Sequence, residues 1–234
     1  MSVLGKLRGR SPAELTERAA QAAARWLERR GIGDIGEPAG ERLTALFSRA
    51  DMPEGPAIRG PFFAAFDDRE ATLAALRSVD ATFDATLRDR ADRVLQGRFD
   101  LLGHHDLSFG EPIDWSLEPV AGLRAPALHW SGIGFLNPAV AGDHKLVWEL
   151  ARHQGLLALG QAWWCTRDPR YAEGCARLMD SWLDANPPKR GIHWASSLEV
   201  SFRSITWLWI LALTGEAFPA SLRRRAVAHL AVSG

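Results

Sequence analysis

Cysteine is scarce in this sequence of 234 residues, with only Cys165 and Cys175 present. Two cysteines cannot form the disulfide framework of a small secreted domain. Their C-x9-C spacing matches no common zinc or redox pattern. Both lie in apolar stretches with helical character, so we expect two buried thiols.

The sequence also lacks an excess of charge of either sign. Lysine and arginine together number 28, as do aspartate and glutamate, and the formal net charge is +0. This balance does not favour nucleic acid or an anionic membrane surface as a partner. Any preference for a charged ligand must therefore come from the local placement of a few side chains.

No apolar run is long enough to cross a bilayer. The most apolar segment, SITWLWILALTG at residues 204–215, is too short to span one. The N-terminal stretch MSVLGKLRGRSPAEL has basic residues but no apolar run of the kind found in a signal peptide. Taken as it stands, the sequence predicts a soluble chain that is not exported.

Motifs of several common enzyme classes are missing. There is no H-x-x-x-H or H-E-x-x-H, so a zinc site on a helix is not predicted, and no G-x-S-x-G, P-loop or dinucleotide fingerprint is present. We predict no cofactor and no metal. His104 and His105, in a loop flanked by glycine, are a weak candidate for metal binding or proton transfer. His193, which precedes a tryptophan-bearing helix, is the stronger candidate for the rim of a cleft.

Helical signals dominate most of the chain. Ser11, Pro12 and Glu14 predict a capped helix that runs to about Arg30. A short helix fits residues 41–49, a loop fits 51–62, and one or two helices ending at Gly97 fit the segment from residue 67. Beyond residue 142, helices are predicted over residues 143–165, 169–185 and 194–213, and from about 219 onward.

Residues 98–142 differ from the rest, with four prolines, many glycines and no sustained helical period. So long a connection usually has a function or contains short strands. The short loops between the later helices predict antiparallel neighbours, and two Glu–Arg motifs about 50 residues apart fit a repeat of helix pairs. We predict an all-α fold, a partial (α/α) toroid of antiparallel helical hairpins interrupted by this irregular segment. Residues 1–97 would form an N-terminal helical region and residues 98–234 the partial toroid.

The stretch WASSLEVSFR, residues 194–203, places Glu199 and Arg203 one helical turn apart among apolar residues. Glu149 and Arg152 form a similar pair three residues apart. A buried charge must be paired or functional, because its desolvation is costly. Two interpretations stay open. The first is a buried structural ion pair. The second is a cleft wall where arginine meets an anionic ligand and Glu199 orients Arg203 by a charge-assisted hydrogen bond.

Tryptophan is abundant, and nine of the ten tryptophans lie between Trp115 and Trp209. Aromatic rings stack on the apolar faces of sugars, but they also fill helical cores. We predict core positions for the tryptophans at helical spacing with Leu and Ile, namely Trp163, Trp182, Trp207 and Trp209. Core and binding site are equally open for those in or beside loops, namely Trp115, Trp130 and Trp194.

Three stretches resemble the N-terminal domain of the heparinase II/III-like polysaccharide lyases. They are LLGHHDLSFGEPIDW, GDHKLVWELARHQGLLALGQAWWCTRDPRYAE and LMDSWLDANPPKRGIHWASSLEVSFRSITWLW. Over about half of the chain, residues 97–213, the spacings of W-E-L-x-R, W-x-x-x-N-P and W-x-S-x-L-E-x-x-x-R are kept. The opening RGRSPAELTERAAQ is also similar to the start of such proteins.

The resemblance implies an incomplete (α/α) toroid followed by a β-sandwich, and β-elimination on uronic-acid polysaccharides such as heparan sulfate or alginate. In that reaction a base removes the proton α to the uronate carboxyl group, and an asparagine-type donor neutralises the carboxylate. Tyrosine or histidine serves as base and acid, and no redox cofactor is needed. The resemblance also implies a periplasmic location, with the cytoplasm as the alternative because no signal peptide is visible.

The sequence departs from the family where the chemistry would lie. In such lyases an Asn-Asn-His-like motif follows the W-x-S-x-L-E-x-x-x-R helix, with the catalytic tyrosine further on. These 234 residues contain no Asn-His pair, a single tyrosine, Tyr171, and no β-sandwich. We therefore expect a truncated product or fragment with no catalytic residues and no lyase activity of its own. The residues predicted near an anionic glycan are Trp148, Arg152, His193, Trp194, Glu199 and Arg203.

Two other functions stay open. A helical module could bind glycan, or serve as a scaffold for a protein, without chemistry. A glycoside hydrolase on the same toroid would need two opposed carboxylates about 5–9 Å apart, such as Asp114 and Glu199.

Overall fold

A computed structural model describes residues 11–32, 45, 68–215 and 217–233. The chain divides into two compact units, residues 1–36 and residues 37–234. The helix predicted over residues 41–49, apart from Ala45, and the loop predicted over residues 51–62 lie outside the described residues.

Helix α1 (Pro12–Arg29) is the described element of the first unit. The Ser11 side chain accepts a hydrogen bond from the Glu14 amide at 3.2 Å, and Pro12 occupies the first turn, where its missing N–H is not needed. Arg18 and Glu14 form an ion pair one turn apart at 3.1 Å. The predicted capped start and the end near Arg30 are confirmed.

The described part of the second unit is built mainly of helices, which confirms the all-α class. They are α2 (Arg69–Val79), α3 (Phe83–Leu95), α4 (Pro138–Ala141), α5 (His144–Ala151), α6 (Gln154–Thr166), α7 (Pro169–Ala185), α8 (Ser197–Thr214) and α9 (Ala220–Ser233). Two 3₁₀ turns, Trp130–Gly132 and Ile192–Trp194, complete the helical elements described.

The irregular segment contains short strands. Strand β1 (Phe99–Leu101) pairs antiparallel with β2 (His104–Leu107), with Phe99 opposite Leu107. Strand β3 (Leu117–Glu118) pairs antiparallel with β4 (Leu123–Arg124), with Leu117 opposite Arg124. Of the two expectations for this segment, a function or short strands, the structure shows the short strands.

A buried glutamate holds this segment in place. The carboxylate of Glu118 accepts hydrogen bonds from the amides of Val120 at 2.9 Å and Ala121 at 2.8 Å, which closes the β3–β4 turn. The Glu118 side chain lies against Gly142, whose φ of 59° is one that other residues rarely adopt. A Cβ atom at residue 142 would collide with Glu118, so the close approach requires glycine at this position.

Helix α6 is central to the core of the second unit and packs against α3, α7 and α8. The buried side chains Leu156, Leu159 and Ala162 place α6 within one continuous apolar cluster that extends from α2 to α9. Arg69, at the start of α2, donates to the carbonyls of Trp164 at 2.7 Å and Cys165 at 2.7 Å. Those carbonyls belong to the last turn of α6, so Arg69 caps the end of that helix.

The helix predicted over residues 143–165 is two helices, so that prediction is wrong in one respect. Helix α5 ends at Ala151, α6 begins at Gln154, and His153 between them has a left-handed backbone with φ of 62°. The left-handed residue breaks the run of helical hydrogen bonds and turns the chain. The His153 ring is fully buried at this turn, so tertiary contacts hold a conformation that local propensity does not favour.

The later helices begin and end close to where the sequence predicts. Helix α7 coincides with the predicted residues 169–185, and two residues connect it to α6, against which it packs as a hairpin. Arg225 of α9 bonds to Asp180 and, at 2.6 Å, to Asp184, both on α7. The toroid itself stays a prediction. So does the domain boundary at residue 97, although side chains from both sides of it share one core.

Two expectations from composition can be compared with the structure. Cys165 and Cys175 are free and buried, as predicted, and burial raises the pKa of the Cys165 thiol to about 11. Among the described residues, no helix is both long enough and apolar enough to cross a membrane.

Candidate functional site

The six residues predicted near a glycan lie in one neighbourhood, formed by α5, the 3₁₀ turn Ile192–Trp194 and α8. The indole Nε1 of Trp148 donates to the carbonyl of Ile192 at 2.9 Å and joins α5 to the 3₁₀ turn. Arg152 bonds to Glu199 and joins α5 to α8. Fold contacts therefore bring together residues that lie more than 40 positions apart in the sequence.

Arg152 and Glu199 form a bidentate ion pair between two helices. Arg152 Nε lies 2.7 Å from Glu199 Oε2, and Arg152 Nη2 lies 2.9 Å from Oε1. The third guanidinium nitrogen bonds to Glu149 Oε2 at 2.6 Å, which confirms the predicted pair within α5. The hydrogen bonds to Glu199 raise the pKa of Arg152, while partial burial opposes the change. This pair fastens α5 to α8 with good geometry on both partners.

The expectation that Glu199 orients Arg203 is wrong. Both carboxylate oxygens of Glu199 are engaged by the fork of Arg152. No carboxylate among the described residues bonds to Arg203, although the charge of Glu199 is close enough to raise its pKa. The spacing within one helix suggested a local pair, but the planar guanidinium of Arg152 offers the carboxylate a better match.

Arg203 is buried among aromatic rings and is only 1% exposed. Its Cζ atom lies 4.5 Å from the ring centre of Trp182 and 5.5 Å from that of Trp194. Its two terminal nitrogens share the carbonyl of His193 at 3.5 Å each, the upper limit for a hydrogen bond. Burial lowers the pKa of Arg203 to about 9, and the charge of Glu199 opposes that change.

Histidines and tryptophans fill the space around Arg203. The His153 ring stacks on Trp207 with centroids 5.8 Å apart, and Trp207 Nε1 donates to His153 Nδ1 at 2.6 Å. Burial, followed by the charge of Arg203, keeps the pKa of His153 well below its ordinary value. The same two causes lower the pKa of His193 to about 3, although the nearby main chain of Trp115 opposes them. Both rings are therefore neutral at neutral pH.

The tryptophans divide much as their spacing predicts. Trp182 and Trp207 are fully buried, which confirms core positions for both, and Trp163 is partly buried against the same core. Of the three beside loops, Trp115 is buried with its Nε1 donating to Ser181 at 3.2 Å. Trp194 is 6% exposed and Trp130 is partly exposed.

A cavity of about 380 Å³ adjoins Trp194. Its lining includes polar groups, from Lys189, Ser197, Ser201 and Ser233. The rings of Trp130 and Trp194 also line it. The Lys189 ammonium lies 5.7 Å from the ring centre of Trp194. Cations, hydroxyls and flat aromatic surfaces together suit an anionic sugar.

Trp194 is the one member of the six predicted residues that lines this cavity. His193, Glu199 and Arg203 are buried behind it, while Trp148 and Arg152 are partly exposed. Sequence reasoning missed Lys189 and the serines. Lys189 lies in the loop NPPKRGIH, and only its proximity to Trp194 in the fold marks it.

A second cavity of about 380 Å³ lies beside β2, α3 and α7. Its polar lining includes Gln96, Ser108, Glu111, Arg177 and Ser181. Arg177 and Glu111 are exposed at its edge, and no aromatic ring lines it. It lacks the stacking surface of the cavity at Trp194.

The carboxylates needed by a glycoside hydrolase are both engaged elsewhere. Glu199 is held by Arg152, and Asp114 Oδ2 lies 2.6 Å from Arg124 Nε. Neither carboxylate lines either of the two cavities. The geometry therefore gives no support to a hydrolase. Within the described ranges, no three side chains of the ligating types group as a metal site would require.

The described part of the second unit is thus a helical domain with two tryptophans and a lysine beside a cavity. The sequence profile described as "Heparinase II/III N-terminus" matches residues 14–217, and the chain belongs to this family. The family resemblance carried by the three quoted stretches is thereby confirmed. No curated protein and no solved structure matches the chain significantly.

Proposed function

We propose that the chain is the N-terminal helical portion of a polysaccharide lyase that cleaves uronic-acid polysaccharides, such as heparan sulfate or alginate, by β-elimination. The observation that carries the proposal is family membership combined with the cavity at Trp194. Within the toroid that the resemblance implies, this cavity would be part of the cleft that holds the anionic glycan.

The residues that line the cavity support a binding role, in which different side chains would contact different parts of the glycan. Trp130 and Trp194 offer faces for sugar rings, and Lys189 offers a positive charge for a carboxylate or sulfate group. Trp148 and Arg152 lie at the partly exposed edge of the same neighbourhood and would meet neighbouring sugar units. The buried residues of the neighbourhood would have a structural role, because they would hold the helices and the main chain beside the cavity in place. They are His193, Glu199 and Arg203.

The β-elimination itself needs a base for the proton α to the carboxylate and an acid for the leaving oxygen. No histidine, tyrosine or carboxylate lines the cavity at Trp194. Tyr171, the one tyrosine of the sequence, is buried, and its hydroxyl donates to Asp92 at 3.0 Å. We therefore propose that these 234 residues bind the glycan but do not cleave it.

A second candidate is a glycan-binding or scaffold module with no chemistry at all. The same absence of a base beside the cavity favours it, because binding alone requires only Lys189 and the indole rings. The two candidates differ in what the complete gene product does. The sequence encoded immediately downstream distinguishes them, because an Asn-Asn-His motif in frame indicates a lyase. For the lyase we propose the periplasm as its location.

Isothermal titration calorimetry with saturated oligouronates tests the binding proposal. We expect the chain to bind them, to bind more weakly as salt rises, and not to bind a neutral oligosaccharide of equal length. Absence of binding to heparin, alginate and chondroitin fragments would overturn the proposal. An absorbance assay for unsaturated uronate tests the second part, and turnover by the purified chain would show that it does carry the chemistry.

A further inference from the structure

The cavity at Trp194 offers a glycan a single positive charge. Among the described residues that line it, Lys189 is the only one with an ionisable side chain. The Lys189 ammonium lies over the face of Trp194, with 5.7 Å to the ring centre. A charged sugar that stacks on this ring would therefore meet the cation at the same place.

The arginines behind the cavity add no net charge. Arg152 lies between two carboxylates, with Nη1 2.6 Å from Glu149 Oε2 and Nε 2.7 Å from Glu199 Oε2. Arg203 is buried, and Glu199 lies one turn away on the same helix. The charges of these two arginines and two glutamates sum to zero, and the buried ring of His193 beside them is neutral.

Two other basic residues near the cavity in sequence do not add to its charge. Arg190 follows Lys189 but does not line the cavity, and its Nη2 donates to the carbonyl of Ala127 at 3.3 Å. Arg225 of α9 is held by two aspartates of α7. It also lies about 12 Å along the helix axis from the lining residue Ser233, which is farther than the about 8 Å over which physiological salt screens a charge.

The remaining polar groups of the lining are uncharged. Ser197 and Ser201 of α8 and Ser233 of α9 provide hydroxyl groups, which both donate and accept hydrogen bonds. The hydroxyl groups of a sugar have the same two capacities and match such a lining. A sulfate group has only acceptor oxygens and brings a further negative charge, for which the described lining holds no second cation.

This charge count distinguishes a carboxylate from additional sulfate groups. Removal of an ionised group from water costs free energy, which a partner of opposite charge offsets. One uronate carboxylate has such a partner in Lys189. A sulfate group on the same or the next sugar would have none in the described lining, so it would weaken binding or keep that sugar in solvent.

We propose that the cavity at Trp194 selects glycans whose charge comes from carboxylates alone, and that sulfated uronate polysaccharides are poorer ligands. The inference rests on the proposed function, because it names the class of uronate polysaccharide that the same cavity binds. It favours an alginate-like chain, or another unsulfated uronate chain, over heparan sulfate.

Calorimetric titration with matched pairs of oligosaccharides tests this selection. Each pair has one backbone and one length, with and without O-sulfate groups. The backbones are an oligomannuronate and an alternating chain of glucuronate and N-acetylglucosamine. For each backbone that binds, we expect the sulfated form to bind roughly tenfold more weakly, because its extra charges meet no cation.

The outcomes separate the two proposals. Equal or tighter binding of the sulfated form would overturn the selection for carboxylates and leave the proposed function standing. Absence of binding by every member of both pairs, and by the heparin, alginate and chondroitin fragments, would overturn the proposed function and the selection with it.

The salt dependence of binding counts the ion pairs independently. A ligand that neutralises one cation releases about one counterion, so its affinity falls roughly in inverse proportion to the salt concentration. We expect this dependence for the unsulfated ligand, and almost none after Lys189→Met. Release of about two or more counterions would show that further cations contact the glycan, and would contradict the inference.

A second cation in the cavity should change the selection. Ser201→Lys adds one at an exposed position of the lining, and Ser108→Lys adds one at an exposed position of the other cavity as the matched control. We expect Ser201→Lys to strengthen binding of the sulfated form roughly tenfold and Ser108→Lys to leave it unchanged. An unchanged preference in a folded Ser201→Lys variant would contradict the inference.

Discussion

His193 and His153 lie inside the second unit as neutral rings, because burial and the charge of Arg203 both disfavour their protonation. The two nitrogens of His193 have no hydrogen-bond partner among the described residues. A protonated His193 would therefore be a second cation beside Arg203, with only the nearby main chain of Trp115 to favour it. At the scale of single residues, these buried neutral rings make the stability of the fold depend on pH.

We predict that the free energy of unfolding falls as the pH drops below about 6.5. The folded-state pKa of His193 is about 3, below its ordinary value of 6.5, so the unfolded chain binds more protons between these two values. One such histidine lowers stability by up to about 1.4 kcal/mol per pH unit in that window. Urea unfolding at about pH 7 and about pH 5 measures the slope.

The variants His193→Gln and His104→Gln separate this effect from the general loss of stability in acid. His104 is exposed on β2 and outside the aromatic cluster, so it is the matched control. We expect His193→Gln to reduce the pH slope and His104→Gln to leave it unchanged. Identical slopes in all three proteins would contradict the assignment of a buried neutral ring at residue 193.

The sequence predicted which residues lie in the core at some positions but not at others. The spacing of Trp182 and Trp207 with Leu and Ile predicted the core, and both are fully buried. Trp115 and Trp194 could not be assigned, because a loop residue is buried or exposed according to what folds over it. No sequence pattern marked Lys189 as a candidate binding residue, because only the fold places it near the ring of Trp194.

At the scale of elements, the ion pair of Arg152 and Glu199 joins α5 to α8 across 47 positions of sequence. The Glu199 side chain is 4% exposed and that of Arg152 is 26% exposed, so the pair is shielded more than a surface bridge. The Arg152 guanidinium also lies 4.8 Å from the ring centre of Phe202 on α8. The contact therefore combines charge, hydrogen bonds and an aromatic face.

We predict that Glu199→Gln destabilises the protein by about 2–4 kcal/mol. The change keeps the shape of the side chain but leaves Arg152 partly buried with only Glu149 as a charged partner. Removing one partner of a buried pair costs about 3–5 kcal/mol, and the partial exposure of Arg152 lowers that figure. Urea unfolding monitored by circular dichroism measures the change.

Asp84→Asn is the control for an exposed pair between helices. Arg77 of α2 and Asp84 of α3 form an ion pair at 2.8 Å with both side chains well exposed. Exposed pairs are worth about 0–1 kcal/mol, so we expect a small effect. Equal losses for Glu199→Gln and Asp84→Asn would mean that the pair between α5 and α8 is no more than a surface bridge.

Element positions were largely predictable, and the break between α5 and α6 shows where prediction failed. Capping residues and turn residues are local signals, so α1 begins where Ser11 and Pro12 predict, and α7 begins at the predicted residue 169. His153 has no local reason to adopt a left-handed backbone. Its ring is held by Trp207, more than 50 positions away, and no local pattern encodes that contact. The pairing of Glu199 with Arg152 rather than Arg203 has the same cause.

At the scale of the whole molecule, α6 lies at the centre of an all-α unit. Three stretches of the sequence were enough to predict the family to which the chain belongs. The spacings of W-E-L-x-R and W-x-S-x-L-E-x-x-x-R now have a physical meaning. Their charged residues, Glu149, Arg152 and Glu199, meet in one network between helices. The charged residues of these motifs thus stabilise the packing of α5 against α8. The cavity at Trp194 lies beside the helices that this network joins.

The central claim is that this cavity binds an anionic glycan, and a calorimetric comparison of two variants with the unchanged chain tests it most directly. Lys189→Met removes the cation beside Trp194, and Arg177→Met removes an exposed cation at the other cavity. With saturated oligouronates, we predict that Lys189→Met weakens binding roughly tenfold, the effect of losing one charge-assisted hydrogen bond, while Arg177→Met binds like the unchanged chain. Equal affinity in all three proteins, or a loss confined to Arg177→Met, would contradict the claim.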